Sequence, residues 1–330
     1  MSTKQDVLRL LYGTTNKPLS GQEIAEELNL SRTAVWKAIQ QLKKDGYEIT
    51  SSTKVGYQLS RKIDLLTLEG IRTHLGEDLQ DWDIQVFETI TSTNDLAKTY
   101  GASDSRVPTF FISEEQTAGR GRLGRTFLSP PKSGLYMSIC IFPEGDLDSI
   151  SLVTCATAVA ATRAVESFIK DTVGIKWVND LYYHDKKIAG ILTEAVTNIE
   201  AQKVDALIVG MGINLHIDDA IIPEDLKPII GSLFSPQEIP DSFSRNEFVA
   251  RFLKEWNQCY EDINSGKLDF MEEYKAHSII VGKKINVISG MKTYPAIAKS
   301  VDNNGHLIVQ TDDGTIHSLS YGEVSIRPEN

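Results

Sequence analysis

The sequence has few cysteines and no long apolar stretch. Its three cysteines, Cys140, Cys155 and Cys259, are far apart and odd in number, and none lies in a C-x-x-C pair. This spacing argues against a structural zinc site and against a disulfide framework. No apolar run approaches the roughly 18 residues that identify a transmembrane helix, and the N-terminus lacks the charged and then apolar pattern of a secretion signal. These absences predict a protein of the reducing cytoplasm.

A helix is also missing where one nucleotide-binding motif requires it. The pattern Gly119-x-Gly121-x-x-Gly124 matches the fingerprint of dinucleotide-binding loops, which must lead directly into a helix. Here Pro130 and Pro131 follow, and then a strand-like apolar run. Because two prolines rule out a continuous helix, the sequence excludes an enzyme that uses a nicotinamide cofactor.

The same glycines lie in a segment that is rich in arginine. From Gly119 to Arg125, three glycines and three arginines occupy seven residues. Glycine allows the backbone to approach a ligand closely, and arginine supplies planar donors for phosphate or carboxylate oxygens. The segment therefore predicts an anion-binding loop. A solvated basic loop without a ligand is the alternative interpretation of this segment alone.

The balance of charge changes sign near residue 60. The whole chain of 330 residues has a net charge of −11, which argues against a protein whose entire surface binds nucleic acid. Through Ser60, however, eight lysines and arginines accompany six aspartates and glutamates, whereas the remainder has 26 against 39. This change predicts a domain boundary, and the length predicts two or three domains with buried cores.

Three short helices and a hairpin are predicted for the first 60 residues. Ser20 and Glu23 have the spacing of a capping box before the second helix, and Ser31 can cap the third. Apolar residues at helical spacing mark the inner face of each helix, and alternation over residues 47–59 predicts the hairpin. This order of elements is typical of a winged helix-turn-helix domain.

The third predicted helix has polar side chains away from its apolar stripe. Such side chains can reach phosphates and base edges in a major groove. They are Ser31, Arg32, Thr33, Trp36, Lys37 and Gln40. One such domain has only a modest basic footprint, so useful affinity requires a homodimer on operator DNA with two half-sites. A small helical protein-interaction domain with incidental charge is the alternative.

The remaining chain divides into two regions with different patterns of predicted secondary structure. Strands and helices alternate irregularly from about residue 82 to residue 265, which predicts an α+β domain with a mixed sheet rather than a regular βαβ array. From Gly282 onward, short strands are separated by turn residues and predict a small all-β barrel of SH3-like size. The predicted class is therefore multidomain α+β.

Four further stretches of the middle region are more polar than their positions require. They are residues 91–95, 176–180, 185–194 and 210–214. Each has an ordinary explanation: a helix N-cap, an Asn-Asp turn, a hairpin lysine and close backbone packing. Ligand binding is the other explanation for each stretch. Their hydroxyl, amide, indole and ammonium groups can bind polar rings, bases and anions.

In this order along the chain, these stretches resemble the biotin protein ligases. The matching segments are 91–94, 116–122, 176–180, 187–190 and 210–214. Together with the winged helix and the C-terminal barrel, they make nearly the whole chain similar to the bifunctional bacterial members, which are also biotin operon repressors. The family usually has proline where Val178 stands, a departure that removes no side-chain donor.

The resemblance implies an architecture and a set of site residues. The implied domains are a winged helix-turn-helix DNA-binding domain (1–62), a class II synthetase-like domain that binds biotin and ATP (67–275) and an SH3-like domain (280–328). Biotin is expected at Ser92, Thr93, Asn94, Gln116, Arg120, Gly121, Arg122 and Lys187. The charge-neutralising catalytic residues among them are Arg120, Arg122 and Lys187. The nucleotide is assigned to Trp177, Asn179, Asp180 and Asn214, with Asp180 as the Mg²⁺ ligand.

The implied reaction requires no nucleophile from the enzyme. Biotin's carboxylate attacks the α-phosphate of ATP, and a lysine of a biotin carboxyl carrier protein domain then attacks the biotinyl-5′-AMP that results. Since both reactants of the first step are anions, catalysis consists chiefly of charge neutralisation and alignment. The sequence has no Ser-His-Asp or Cys-His arrangement that would suggest otherwise.

Two alternatives stay open at the level of the sequence. One is a winged-helix regulator whose middle domain senses a ligand without ligase activity. The other is a lipoate-type or related ligase that activates a different acyl group by adenylation. The resemblance to the bifunctional members also implies transcriptional repression of genes for biotin synthesis and uptake. The expected partners are the acceptor protein and operator DNA, and no membrane partner is expected.

Overall fold

The computed structural model describes most of the chain in two compact units. The described residues are 3–14, 17–52, 56–60, 65–143, 149–198, 203–235, 238–240, 243–289 and 292–326. The first unit is Met1–Leu79 with Pro240–Arg251, and the second is Gln80–Ile239 with Phe252–Asn330. The domain bounds 1–62, 67–275 and 280–328 stay predictions.

The first unit begins with three helices and a two-stranded hairpin, followed by a fourth helix. These elements are α1 (Thr3–Gly13), α2 (Gly21–Glu27), α3 (Arg32–Lys44), β1 (Ile49–Ser52), β2 (Gly56–Leu59) and α4 (Leu68–Leu75). The predicted capping box is present, with Glu23 N–H donating to Ser20 Oγ at 3.1 Å and Ser20 N–H donating to Glu23 Oε2 at 2.7 Å. The winged helix-turn-helix arrangement is confirmed.

The core of this unit follows from the apolar stripes of the helices. Val7 and Leu11 of α1 pack with Ile24 of α2 and with Val35 and Ile39 of α3, all of them nearly inaccessible to solvent. Burial of each such side chain stabilises the fold by about 1.5–3 kcal/mol. The helices are therefore stabilised by contacts between their apolar faces, and the other face of α3 is exposed to solvent.

The end of the predicted linker is held by a buried asparagine. The Asn246 side chain accepts from Thr67 N–H at 2.9 Å and donates to Leu65 C=O at 2.8 Å. Gly70 of α4 leaves the room for it, since a Cβ there would lie 2.6 Å from Asn246 Cγ. Of the predicted linker 61–66, residues 61–64 lie outside the described part.

The second unit is built on a seven-stranded mixed sheet. Its strands are β3 (Asp83–Ile90), β4 (Thr109–Gln116), β5 (Gly134–Ile141), β6 (Gly174–Lys176), β7 (Asp180–Tyr183), β8 (Lys186–Asn198) and β9 (Lys203–Asn214). They lie in the order β3-β4-β5-β9-β8-β7-β6. β3 and β4 are parallel and the other pairs are antiparallel. The predicted mixed sheet is confirmed.

Helices complete this sheet domain. They are α5 (Thr93–Gly101), α6 (Ser149–Glu166), the part of α7 (Arg245–Asn264) that follows Arg251, and α8 (Phe270–Ala276). The small side chains of α6, such as Ala158 and Ala161, are fully buried, and their size lets the helix backbone pack closely on its neighbours. The Trp256 indole N–H of α7 donates to Thr157 Oγ1 of α6 at 2.9 Å, which satisfies a polar group in the core.

The C-terminal region is a five-stranded antiparallel sheet. Its strands are β10 (Lys284–Ser289), β11 (Lys292–Val301), β12 (Leu307–Thr311), β13 (Ile316–Leu319) and β14 (Glu323–Ile326), in the order β13-β12-β11-β10-β14. The turn before β12 approaches α6 so closely that a Cβ at Gly305 would lie 2.9 Å from Cys155 Sγ. Gly305 also has a positive φ of 79°, so glycine suits both requirements.

Two strands of the second unit were not predicted from the sequence. β7 begins at Asp180, within a stretch that was interpreted as a turn, and β14 is only four residues long. Both are too short for a clear alternation of apolar and polar residues. Their pairing with β8 and β10 supplies the backbone hydrogen bonds that stabilise them.

All three cysteines are free and buried, and no helix in the described ranges is long and apolar enough to cross a membrane.

The buried cysteines allow a simple prediction. Burial raises the pKa of the Cys140, Cys155 and Cys259 thiols to about 12, so almost no thiolate exists at pH 8 and the sulfur atoms are shielded. We expect the folded protein to react negligibly with a thiol reagent at pH 8, while the guanidinium-unfolded protein reacts with three equivalents. Rapid labelling of the folded chain would contradict this burial.

Candidate active site and nucleic-acid interface

Polar side chains at the start of α5 face the central strands of the sheet. Ser92 is the N-cap of α5, and its Oγ accepts from Asp95 N–H at 3.4 Å. The next two residues, Thr93 and Asn94, are only 3% and 5% exposed. The cap interpretation of this stretch is thus correct for Ser92, while Thr93 and Asn94 present buried polar groups that a cap does not need.

Gln116 joins this helix start to the end of strand β4. Its Oε1 accepts from Thr93 N–H at 2.8 Å and from Thr93 Oγ1 at 3.1 Å, and its Nε2 donates to Ser129 Oγ at 3.0 Å. The parallel register places Ile90 opposite Gln116. Because of that register, the residues after β3 and the side chain that ends β4 meet at one edge of the sheet.

Asn94 has polar partners on two further strands. Ser138 Oγ of β5 lies 2.5 Å from Asn94 Oδ1 and 2.7 Å from Thr93 Oγ1. Asn94 Nδ2 donates to Glu194 Oε2 of β8 at 2.8 Å. Sequence reasoning missed Ser129, Ser138 and Glu194. The available signal for Ser138 was a hydroxyl within an otherwise apolar strand.

The arginine-rich loop begins directly after β4 and folds back on itself. Gly121 N–H donates to Arg125 C=O at 2.7 Å, and residues 122–124 form one short 3₁₀ turn. Leu123 and Gly124 have positive φ angles of 55° and 75°, and a glycine at the second position relieves the backbone. Arg120 Nε lies 3.2 Å from Asp95 Oδ2 of α5.

Arg122 and Arg125 connect this loop to other parts of the second unit. Arg122 Nη1 donates to Asn179 Oδ1 at 2.8 Å, and its Nη2 donates to Gly322 C=O at 2.6 Å. Arg125 donates to both carboxylate oxygens of Glu323, at 2.7 and 3.1 Å. The hydrogen bonds from Arg125 hold the pKa of Glu323 below its usual value.

The stretch 176–180 joins Arg122 to a lysine–aspartate pair. Asn179 is 8% exposed and its Nδ2 donates to Ile191 C=O at 3.0 Å. In the next residue, Asp180 Oδ1 lies 2.7 Å from Lys187 Nζ, with these two side chains 18% and 26% exposed. Lys187 thus has a carboxylate partner at the border of the core, rather than the free position of a hairpin lysine.

Trp177 lies on the other side of the same stretch. Its side chain is 3% exposed, and its indole N–H donates to Gly305 C=O at 2.9 Å. The side chain of Trp177 therefore contacts the C-terminal sheet, and its role beside a base stays a prediction. Burial lowers the pKa of the neighbouring Lys176 from its usual value, and its ammonium lies 5.6 Å from the centre of the Tyr182 ring.

Glycines of β9 leave the space for the polar and aromatic groups around the site. A Cβ at Gly210 would lie 2.0 Å from Asn94 Oδ1, and one at Gly212 would lie 2.4 Å from Phe127 Cε1. At the end of the same strand, Asn214 is 4% exposed and its Nδ2 donates to Gly231 C=O at 3.1 Å. Asn214 Oδ1 is a buried acceptor with no hydrogen-bond partner among the described residues.

The structure joins several of the predicted site residues into two groups. Thr93, Asn94 and Gln116 share one hydrogen-bond network, and Arg122 is linked through Asn179 to the neighbouring Asp180–Lys187 pair. The remaining predicted residues, Ser92, Arg120, Gly121, Trp177 and Asn214, have the separate contacts described above. Hydroxyl and amide groups near fixed cations can bind a small polar ligand that carries an anionic group.

The first unit presents a separate polar surface on α3. Ser31 caps this helix by accepting from Ala34 N–H at 3.1 Å. The predicted DNA-contacting side chains are exposed except that of Gln40, which is partly buried, while the stripe on the opposite face of α3 is buried. The exposed ones are Ser31, Arg32, Thr33, Trp36 and Lys37. Trp36 is 53% exposed.

Three family models match successive parts of the chain. Residues 86–214 match the biotin/lipoate A/B protein ligase family, residues 3–58 match an HTH domain, and residues 280–327 match the biotin protein ligase C-terminal domain. The fold and these matches are those of a protein ligase of the biotin/lipoate type that carries a helix-turn-helix domain. More specifically, the three parts follow the domain order of the bifunctional ligase/repressor members of the biotin protein ligases, to which the chain is similar over nearly its whole length.

Individual relatives agree with this assignment over nearly the full length. The bifunctional ligase/repressor BirA of Bacillus subtilis is 29% identical over 312 residues, which cover 94% of this chain and 95% of the relative. BirA of Escherichia coli is 29% identical over 316 residues, covering 93% and 92%. Among solved structures, the biotin protein ligase of Aquifex aeolicus in complex with biotin and ATP has a TM-score of 0.62 at 25% identity, covering 75% of this chain and 99% of that one.

Proposed function

We propose that the chain activates biotin with ATP, transfers it to a protein lysine and represses transcription in response to biotin. One observation carries the ligase part: Arg122 of the loop reaches Asn179, which is adjacent to the Asp180–Lys187 pair. The Lys187 ammonium lies over Gly190 of β8, which pairs with Gly212 of β9, and Asn94 lies over Gly210 of that same strand. In this proposal the ligase domain spans 67–275, between the DNA-binding domain 1–62 and the C-terminal domain 280–328.

The buried network at α5 suits the polar ring of biotin. A ureido ring both donates and accepts hydrogen bonds, and the hydroxyl and amide groups of Thr93, Asn94 and Gln116 can do the same. Ser92 places these residues by capping α5. The apolar strands beside these residues suit the aliphatic chain of biotin. Its carboxylate is bound by Arg120, Gly121, Arg122 and Lys187.

Charge neutralisation is the chemical task of the cationic groups. The carboxylate of biotin must approach the α-phosphate of ATP, and both are anions. Arg120, Arg122 and Lys187 reduce this repulsion and stabilise the charge that develops during displacement of pyrophosphate. The resulting biotinyl-5′-AMP is a mixed anhydride, which a lysine of a biotin carboxyl carrier protein domain attacks with loss of AMP.

The nucleotide is assigned to the neighbouring stretch and to the end of β9. Asn179, Asp180 and Trp177 lie on the first, and Asn214, whose buried Oδ1 has no partner among the described residues, lies on the second. The described residues contain no cluster of three or more metal-ligating side chains. Asp180 would supply a carboxylate to Mg²⁺, and the ion would neutralise phosphate charge.

Exchange of labelled pyrophosphate into ATP tests the first step directly. We expect exchange that depends on biotin and does not occur with lipoate, followed by transfer of biotin to the lysine of an added carrier domain. Exchange with lipoate instead would identify a lipoate-type ligase. Absence of exchange with either acid, together with biotin binding, would identify a regulator that only senses its ligand.

The surface of α3 provides a prediction for operator binding. Replacing Lys37 with alanine is expected to weaken binding to all DNA sequences alike and to reduce the slope of log K against log salt by about 1, because one phosphate contact is lost. Fluorescence anisotropy over a salt series measures both quantities. Lys4→Ala removes a lysine of α1 that pairs with Asp45, so an equal change in that control would contradict a specific role for α3.

Ligand binding should also change the association of the protein. We propose that biotinyl-5′-AMP orders the loop 116–125 and promotes a homodimer that binds two operator half-sites. Sedimentation velocity is expected to show a shift from monomer to dimer when biotin and ATP are both added. An unchanged sedimentation coefficient at micromolar protein would contradict this coupling.

A further inference from the structure

The amide of Asn94 is held in one orientation by groups on three strands. Its Oδ1 lies against the backbone at Gly210 and is 2.5 Å from Ser138 Oγ, while its Nδ2 is 2.8 Å from Glu194 Oε2 and 3.4 Å from Leu192 C=O. A side-chain amide can rotate by half a turn and exchange its donor and acceptor ends, so its orientation depends on its partners.

Glu194 is the partner that distinguishes the two ends of this amide. An ionised carboxylate only accepts hydrogen bonds, whereas the hydroxyl of Ser138 can donate or accept. If the amide were reversed, its carbonyl oxygen would face the carboxylate and two acceptors would be in contact. The carboxylate of Glu194 therefore favours the orientation seen here, and the longer contact with Leu192 C=O, which also only accepts, acts in the same sense.

Lys98 holds that carboxylate in place. Its Nζ lies 2.5 Å from Glu194 Oε1, and the two side chains are 30% and 27% exposed. Lys98 follows Asn94 by one turn of α5, so both residues point toward the same part of β8. The ammonium occupies one carboxylate oxygen, and the other oxygen remains available to the Asn94 amide.

We propose that Glu194, held by Lys98, is a positioning residue for biotin recognition that acts by fixing the donor and acceptor ends of Asn94. The proposal rests on the biotin-binding role proposed above for Asn94. Glu194 acts through Asn94 and through no direct contact with biotin or ATP. Its replacement should consequently affect the binding of biotin and leave the binding of ATP unchanged.

Steady-state exchange kinetics on the full-length chain test this proposal. Glu194→Ala is expected to raise KM for biotin about tenfold, because one buried hydrogen bond to the ligand would be lost. KM for ATP and kcat should stay within about twofold of the wild-type values. Glu194→Gln retains an acceptor but adds a competing donor, so a smaller rise of about threefold is expected. Glu224→Ala is the control, because it removes an exposed carboxylate that also pairs with a lysine.

Lys98→Met tests the same contact from the other side and should raise KM for biotin by about threefold. An unchanged KM for biotin in Glu194→Ala would overturn the proposal, as would equal rises in KM for biotin and ATP with a lowered Tm. If Glu194→Ala does not fold, unchanged biotin KM values in both Glu194→Gln and Lys98→Met overturn it. Wild-type protein without biotin-dependent exchange would refute the proposed function itself, which separates the two failures.

Discussion

Replacing Lys187 with alanine is expected to lower kcat/KM for biotin-dependent exchange by about 10²–10³-fold. Lys187 Nζ lies 2.7 Å from Asp180 Oδ1, and the pair is largely shielded from solvent. Without the ammonium, the carboxylate of Asp180 loses the cation that pairs with it in the structure and lies beside two anionic reactants. The loss therefore combines missing neutralisation with new repulsion, and both act on the adenylation step.

The adjacent lysine provides a matched control for this prediction. Lys186 lies on the same strand and is exposed, so Lys186→Ala changes the net charge equally and should leave exchange within about twofold. Circular dichroism and Tm establish that both variants are folded. Similar losses in both variants would mean that overall charge, and not the Asp180–Lys187 pair, determines the rate.

Replacing Arg122 with glycine is expected to increase release of biotinyl-5′-AMP by about 10–100-fold, since charged hydrogen bonds of this kind contribute about 1.5–3 kcal/mol. In the structure, the guanidinium connects the loop to Asn179 and to Gly322. Its removal frees the loop from both anchors. The released mixed anhydride should then biotinylate lysines of bystander proteins, which a streptavidin blot detects, while release of labelled adenylate gives the rate.

Arg125→Gly serves as the control in the same loop. Arg125 is 65% exposed and pairs with Glu323 at the surface, and such pairs contribute little to stability. The backbone gains the same freedom in both variants, but only the first loses the contact with Asn179. Unchanged retention of the adenylate in Arg122→Gly, or equal release from both variants, would refute the role of Arg122.

Local features of the fold could be predicted from the sequence because their partners are neighbours in the chain. The capping box of Ser20 and Glu23 spans three residues, and the Ser31 cap likewise involves the next turn of backbone. The arginine-rich loop was recognisable because glycine and arginine are concentrated in one segment. Short-range geometry of this kind follows from residue type and spacing.

The connections within the site could not be predicted in the same way. Asn94 and Glu194 are 100 residues apart, and Arg122 and Gly322 are 200 apart. Nothing in the local pattern of either member specifies its partner. These contacts depend on the order and register of the strands, which result from burial of many apolar side chains together.

The sequence by itself determined the domain classes, the exposed face of α3 and the positions of the polar stretches, because periodicity and spacing are local properties. Tertiary structure decided which of those stretches touch. It brought Asn179 to Arg122, paired Asp180 with Lys187, turned Trp177 toward the C-terminal sheet and placed Ser138 and Glu194 around Asn94. The physical reason is that sheet packing, and not the composition of any single segment, sets the distances between residues far apart in the chain.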